Sequence, residues 1–314
     1  MILFFLKSLI SKKIYEVNPS LIIADSVHPL GALTGLWFST VKKCPFVYQI
    51  RDIWPLALVT EGKLSKINPI YWLFEIIQNI CLKKCAFVLS SLKYYNKFLK
   101  EKKVFKKVVW IPNPIKKTNY KKLYHKAKTV LYIGGFGFAH DVETVLKGIL
   151  CFQKKYSNKA KFLFIGNGVR RVGAEQTAKK YKLKNITFLK YRRKEDLKPI
   201  LQKSHIGIAT LYSNPIYKYG VNLNKINSYF SYSMPTILTG GSNDNELKTQ
   251  KIGAIIPSRS PFLLAETIQM FLNLTPNKYN SLTKKIRQYA KKTRNLKKLQ
   301  SKLLYHIHAL KAFQ

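Results

Sequence analysis

The sequence predicts an α/β protein built from two doubly wound domains in succession. Three observations predict it. Short apolar runs rich in Val, Ile and Phe alternate with stretches of helical period, the mark of parallel strands covered on both faces. The alternation is interrupted once, at Pro112-Asn113-Pro114 and the Lys- and Tyr-rich stretch that follows to Lys128, and then restarts. Hydrophobic residues are 46% of the 314 and aromatics 13%, which supplies two cores and argues against a mainly disordered chain.

Taken in order, strands are expected at Leu21–Ala24, Phe46–Ile50, Ala86–Ser90 and Val108–Ile111, each a short run of mostly apolar residues. Helices are expected between them over Leu30–Val41, Ile67–Leu82 and Leu92–Lys100. Beyond the interruption the strand-like runs are Val130–Ile133, Ala160–Ile165, Ile186–Phe188, Ile206–Ala209, Thr236–Thr239 and Ala254–Ile256. Helical stretches over Val142–Tyr156, Ala174–Tyr181, Lys194–Lys203, Lys225–Tyr232 and Pro261–Leu272 separate most of them. A long basic helical tail, Lys278–Ala312, closes the chain. The domains are therefore placed at 1–115 and 129–290, with a linker at 116–128 and a basic C-terminal helix at 291–314. Met1–Ile10 is apolar but broken by Lys7 and Ser8 and has no small-residue cleavage site, so it reads as an interfacial or core helix and not as a signal peptide. No apolar run approaches the roughly 18–20 residues of a membrane span.

Lys and Arg number 56 against 14 Asp and Glu, a net charge of +42. Such a chain keeps anionic company: lipid, phosphorylated substrates or nucleic acid. The excess runs through the whole length, so no single arm is built to wrap DNA. The zinc spacings, aromatic RNA motifs and helix-turn-helix patterns of nucleic-acid binders are missing. Four cysteines, Cys44, Cys81, Cys85 and Cys151, make no disulfide framework and have no His cluster beside them, so no metal site is expected.

Three segments carry chemistry. Tyr132–Asp141 follows a strand and precedes a helix, and Gly134, Gly135 and Gly137 let backbone amides approach a ligand at a helix N-terminus, where an anion is favoured. It is neither a dinucleotide fingerprint nor a Walker loop. Gly166-Asn167-Gly168 follows the next strand and carries Arg170 and Arg171, guanidiniums suited to phosphate oxygens; Arg170 is the better candidate. Tyr219–Lys225 leads into a helix, and the amides of Asn222, Leu223 and Asn224 with the Lys225 ammonium suit a diphosphate. Strand ends of doubly wound sheets are where such ligands bind, which points to a nucleotide or phosphate ligand in a cleft shared by the two domains.

In this order, Arg51-Asp52-Ile53-Trp54-Pro55, Ile111-Pro112-Asn113, Gly134-Gly135-Phe136-Gly137 with His140, Gly166-Asn167-Gly168, Asn185–Phe188 and Asn224-Lys225 with Tyr229 and Pro235 resemble the GT-B glycosyltransferases of the family 4 group. The likeness is strongest to the bacterial branch that builds O-antigen, capsule and related polysaccharides, including fucosamine-type transferases. The resemblance implies two Rossmann-like domains, a nucleotide-sugar donor site mainly in the second, an acceptor site mainly in the first, and retention of anomeric configuration. It implies no cofactor or metal, the nucleotide-sugar being a substrate, with UDP the expected nucleotide.

The resemblance also assigns roles. Gly134, Gly135 and Gly137 would face the diphosphate, and His140 stands where many relatives carry Lys. Arg170 would lie beside the nucleotide. The amides of Asn222, Leu223 and Asn224 and the Lys225 side chain would meet the leaving group. Arg51, Asp52 and His28 would line the acceptor side, with His28, Asp52 and His140 as candidate catalytic groups. Ser228 fills a position where relatives carry an acid that binds the ribose, while Gly220 matches the Gly-containing version of this branch. Relatives begin with a strand, a Gly-rich loop and a helix ahead of the segment aligned with Ile2–Ala24, so a reduced first domain is expected.

The leading expectation is a cytoplasmic glycosyltransferase, peripheral on the inner face of the cytoplasmic membrane, acting on a polyprenyl-diphosphate-linked saccharide. The alternatives are a catalytically impaired relative and a basic nucleic-acid-binding protein. Basic residues from Lys284 to Lys311, with Leu296, Leu299, Leu303 and Leu310 and the apolar first residues, suit an anionic membrane surface. The same leucines suit a core helix that packs back on the first domain.

Overall fold

The computed structural model describes residues 2–115, 120–124, 128–156, 160–242 and 245–311. The expected linker falls largely outside the described residues, as does Ala312 at the end of the expected tail. The chain divides into two compact units: the first comprises Met1–Pro112, Tyr219–Asn222 and Leu299–Gln314, the second Asn113–Lys218 and Leu223–Lys298.

The first unit runs α1 (Ile2–Ile10), α2 (Lys12–Glu16), β1 (Ile22–Asp25), α3 (Pro29–Val41), β2 (Phe46–Ile50), α4 (Leu56–Thr60), α5 (Pro69–Lys84), β3 (Phe87–Ser90), α6 (Tyr95–Glu101) and β4 (Val108–Trp110). Its strands form a parallel sheet in the order β1-β2-β3-β4. Strands added always in one direction by right-handed crossovers put α3, α5 and α6 on one face. The other face presents Val47, Phe87, Leu89 and Val109, and Leu303 and Leu310 of the chain's last helix pack on them. Proline at the first turn starts both long helices, after His28 and after Asn68, whose Oδ1 accepts from the Ile70 amide at 2.9 Å.

The second unit runs β5 (Thr129–Ile133), α7 (Val142–Lys155), β6 (Lys161–Ile165), α8 (Arg171–Lys180), β7 (Ile186–Leu189), α9 (Lys198–Lys203), β8 (Ile206–Thr210), α10 (Asn224–Ser231), β9 (Thr236–Thr239), α11 (Glu246–Thr249), β10 (Gly253–Ile256), α12 (Pro261–Leu272) and α13 (Pro276–Thr293); α14 (Leu296–Lys311) follows and passes into the first unit. Its parallel sheet has the order β10-β9-β8-β5-β6-β7 among the described residues. The winding reverses between β5 and β8, and that switch point is where open α/β sheets bind ligands. One sheet face buries Tyr132, Phe162, Phe164 and Ile208 under α7, α8 and α12. The opposite face buries Leu131, Ile133 and Ile165 under Leu201 of α9 and Tyr229 of α10.

Several expected elements are corrected. The basic tail is two helices and not one, because the chain turns at Arg294 to bury that side chain. Arg294 pairs with Glu246 in the interior and donates from Nε to Asn227 Oδ1 at 2.6 Å, while Tyr289 donates to the other Glu246 oxygen at 2.6 Å. The expected helix Lys194–Lys203 begins only at Lys198, where Pro199 occupies the first turn. Helices α2, α4 and α11 have only four or five residues, too short to show a period.

Candidate functional site: a buried lysine at the switch point of the second unit

Helix α10 is locked to the sheet by Tyr229. Its ring lies so close over β8 that a Cβ on Gly207 would come within 2.5 Å of it. Its hydroxyl donates to Ile208 O at 2.9 Å and accepts from the Ile133 amide at 3.1 Å. One turn earlier, that anchoring carries Lys225 inward, with 8% of its surface left accessible. Lys225 Nζ donates to Tyr132 Oη at 3.2 Å and lies 4.4 Å from the centre of the Tyr132 ring. Tyr132 in turn donates to Gly135 O at 2.7 Å, so a single phenol joins the lysine to the glycine loop.

The loop needs its glycines. Gly134 has φ +129°, and a Cβ there would sit 3.0 Å from Lys225 Cε. Gly166, at φ +150°, is pressed against Gly134, and a Cβ on it would lie 1.8 Å from Gly134 O. The amides of Asn224 and Lys225 open α10 and so have no carbonyl partner within it. A buried ammonium thus stands beneath glycine backbone and beside a helix N-terminus, a place for a multiply charged anion.

Burial lowers the Lys225 pKa from 10.5 to about 7. His140 accompanies it: Nδ1 lies 2.9 Å from Thr210 O. A carbonyl only accepts, so Nδ1 carries the proton and Nε2 of the neutral ring is an acceptor. Burial first, and then the Lys225 charge, push the His140 pKa down. Asp141 is spent on structure, its carboxylate capping α7 through the Thr144 amide at 3.2 Å and hydroxyl at 2.7 Å.

The two arginines divide as their surroundings dictate. Arg171 is committed to Leu189 O at 2.7 Å, to Gly166 O and to Glu175 at 2.8 Å, and it fixes the ends of β6 and β7. Arg170 is exposed; it donates to Tyr212 Oη at 3.0 Å and stacks over the Phe138 ring at 4.7 Å. Ser228 donates back to Asn224 O at 3.1 Å, the ordinary helical arrangement for a serine. Leu223 is the N-cap residue of α10. Asn222 belongs to the first unit with Tyr219, whose carbonyl accepts from the Tyr94 amide at 3.0 Å.

In the first unit, the remaining candidates sit at strand C-terminal ends. Ser26 Oγ accepts from the Arg51 amide at 3.2 Å and joins the ends of β1 and β2. Arg51 reaches Asp25 at 3.9 Å, a half-exposed pair of little energetic weight. The Asp52 carboxylate caps no helix and holds no hydrogen bond to a described residue. Neighbouring mass raises its pKa, with Arg51 opposing, although by surface area the side chain is open to water and screening discounts that shift. His28 caps α3, its Nδ1 accepting from the Gly31 amide at 3.3 Å. The sequence marks Tyr132 only as the start of the glycine segment and does not mark Tyr212, since a tyrosine near a strand end gives no signal of the lysine or arginine it will hold.

Residues 115–293 match the family described as Glycosyl transferases group 1. The chain belongs to the group 1 glycosyl transferases. A likeness of fold extends over nearly the whole of this group 1 chain. A glycosyltransferase from Rickettsia africae ESF-5 superposes with a TM-score of 0.73 at 14% identity, covering 97% of this chain and 81% of that one. Anabaena HepE, solved in complex with UDP, gives 0.71 at 11% identity over 95% and 81%. WaaG, a glycosyltransferase involved in lipopolysaccharide biosynthesis, gives 0.58 at 12% identity over 83% and 78%. At such identities the likeness is one of fold, the GT-B arrangement of two Rossmann-like domains. No curated protein matches the chain by sequence.

Proposed function

We propose that this group 1 transferase moves a hexosyl or N-acetylaminosugar unit from a UDP-sugar to a lipid-linked saccharide in bacterial surface polysaccharide assembly, with retention of configuration. The observation that carries the donor half is Lys225 Nζ, held by Tyr132 beneath Gly134 at the switch point. As the bond from the anomeric carbon to the β-phosphate oxygen breaks, its electron pair goes to UDP; the ammonium and the free amides meet that charge. The acceptor oxygen bonds to the same carbon and its proton leaves with the phosphate side. His140 Nε2, an acceptor when neutral, is suited to a sugar hydroxyl. On this reading Arg170 meets the nucleotide and Ser228 its ribose. The UDP in HepE and the lipopolysaccharide role of WaaG favour the donor and the setting. The deciding experiment is thermal stabilisation by a panel of nucleotide-sugars: one UDP-sugar should raise Tm by several degrees, and a panel with no effect at saturating concentration rejects the reading.

The donor reading has a pH signature. In the free protein Lys225 loses its proton near pH 7, and a bound diphosphate restores the charge. UDP binding at pH 8–9 should therefore take up a proton, and affinity should fall by up to about tenfold per pH unit above 7. Calorimetry in buffers of different ionisation enthalpy measures the uptake, and Lys225→Met should remove it.

Asp52→Asn tests the acceptor half. Because the carboxylate holds no hydrogen bond to a described residue, its Tm should stay within about a degree. Turnover should drop about tenfold or more if Asp52 engages the acceptor hydroxyl. Full turnover with an unchanged Tm would remove Asp52 from the site.

A further inference from the structure

The helix α5 is apolar on both sides. Its inward side buries Tyr71, Ile77, Cys81 and Leu82 together with Gln78 and with Glu75, paired with Lys102, and its water-facing side still carries Trp72, Leu73, Ile76 and Ile80. Trp72, Leu73 and Ile76 are each more than half exposed. These positions recur at helical spacing, so they form one stripe, and Lys83 continues it. Scattered exposed apolar residues are ordinary on a protein surface, but a continuous stripe is not. The crossovers place α3 on the same side of the sheet, and α3 packs against α5 and shows Trp37 and Val41 to solvent. The exposed charges around these helices are mainly basic: Lys12, Lys13, Lys43, Lys83 and Lys84.

We propose that the outer face of α5 and α3 seats the protein on an anionic lipid bilayer. Charge chooses the occupant. A second copy of a chain carrying +42 would be repelled from a basic-rimmed face, whereas anionic headgroups are attracted to it. Two exposed tryptophans beside lysines suit the boundary between acyl chains and headgroups. The face differs from the one the basic tail suggested, because Leu303 and Leu310 of α14 are spent on the sheet. The proposal rests on the functional reading only in that a lipid-linked acceptor would be met at this surface, and its test needs no acceptor.

The test is co-sedimentation of the full chain with vesicles of phosphatidylglycerol and phosphatidylcholine, against phosphatidylcholine alone. Binding should require the anionic lipid and weaken in high salt, and tryptophan emission should be quenched by brominated acyl chains. The variant Trp72→Gln, Leu73→Gln, Ile76→Gln should bind about tenfold more weakly or worse, with unchanged circular dichroism and unchanged UDP stabilisation. A control variant at Leu304 and Tyr305, exposed on α14, should bind as the wild type does. Undiminished binding of the triple variant overturns the proposal, as does a wild type that ignores lipid but forms a dimer the triple variant abolishes. If the triple variant loses vesicles while no nucleotide-sugar stabilises either protein, the docking face stands and the donor reading falls.

Discussion

A Gly166→Val protein should melt far below the wild type and bind no UDP. The added Cβ would lie 1.8 Å from Gly134 O and 2.8 Å from Gly134 C, both backbone atoms that cannot swing aside. Its φ of +150° is itself a conformation that valine resists. Relief requires β6 and the glycine loop to part, at a cost of about 3 kcal/mol or more. For a folding unit of the size of the second that is roughly 6 °C or more in Tm, measurable by scanning fluorimetry. Gly137→Ala is the control, since a Cβ at Gly137 meets nothing within 4 Å, and its Tm should hold. Equal losses in the two proteins would show that loop flexibility, and not the Gly134–Gly166 contact, sets the stability.

Replacing Lys225 by alanine should weaken UDP binding about ten- to a hundredfold, the worth of one or two charge-assisted contacts in a buried setting. Stability should move the other way. A lysine whose pKa falls from 10.5 to about 7 on folding is held uncharged in the folded protein while the unfolded chain still binds the proton. Between those values the folded state gains about 1.4 kcal/mol per pH unit as pH rises, and below pH 7 that gain is lost. Lys122, buried against the Leu201 and Gln202 carbonyls and also lowered to about 7, adds a second contribution of the same sign. Wild-type Tm should thus rise from pH 7 towards pH 10. Lys225→Met, which fills the space without a charge, should be more stable than wild type at pH 7 and show a flatter profile. A Lys225→Met protein that binds UDP as tightly as wild type would move the anion site elsewhere.

The repeating parts of this fold were legible because their signals are local. Phe46–Ile50 and Thr236–Thr239 are apolar runs bounded by breakers, and Pro261 opens a helix that the structure also begins there. The site was legible as segments and not as contacts. Glycine spacing marks a loop that needs bare backbone, but nothing in Lys225 announces burial, because burial is decided by Tyr229 and Gly207, a turn and a strand away. The choice between Arg170 and Arg171 likewise depends on which carbonyls the neighbouring strands bring near. His28 shows the reverse problem: a histidine before proline reads as chemistry, while its Nδ1 serves the helix it precedes. The tail's break at Arg294 was hidden because its partner Glu246 lies 48 residues away in the chain.

The covering of the first sheet by α14 has a consequence for biogenesis. Val47, Phe87 and Leu89 leave the ribosome long before the leucines that shield them, Leu303 and Leu310. Until α14 emerges the sheet of the first unit waits with one greasy side bare, while the second unit, contiguous apart from a four-residue excursion, can close as it is made. The order of maturation is then inverted with respect to the order of translation. A nascent chain stalled before Leu299 should be a client for chaperones that clasp apolar strands, and the emergence of α14 should be the event that lets it go.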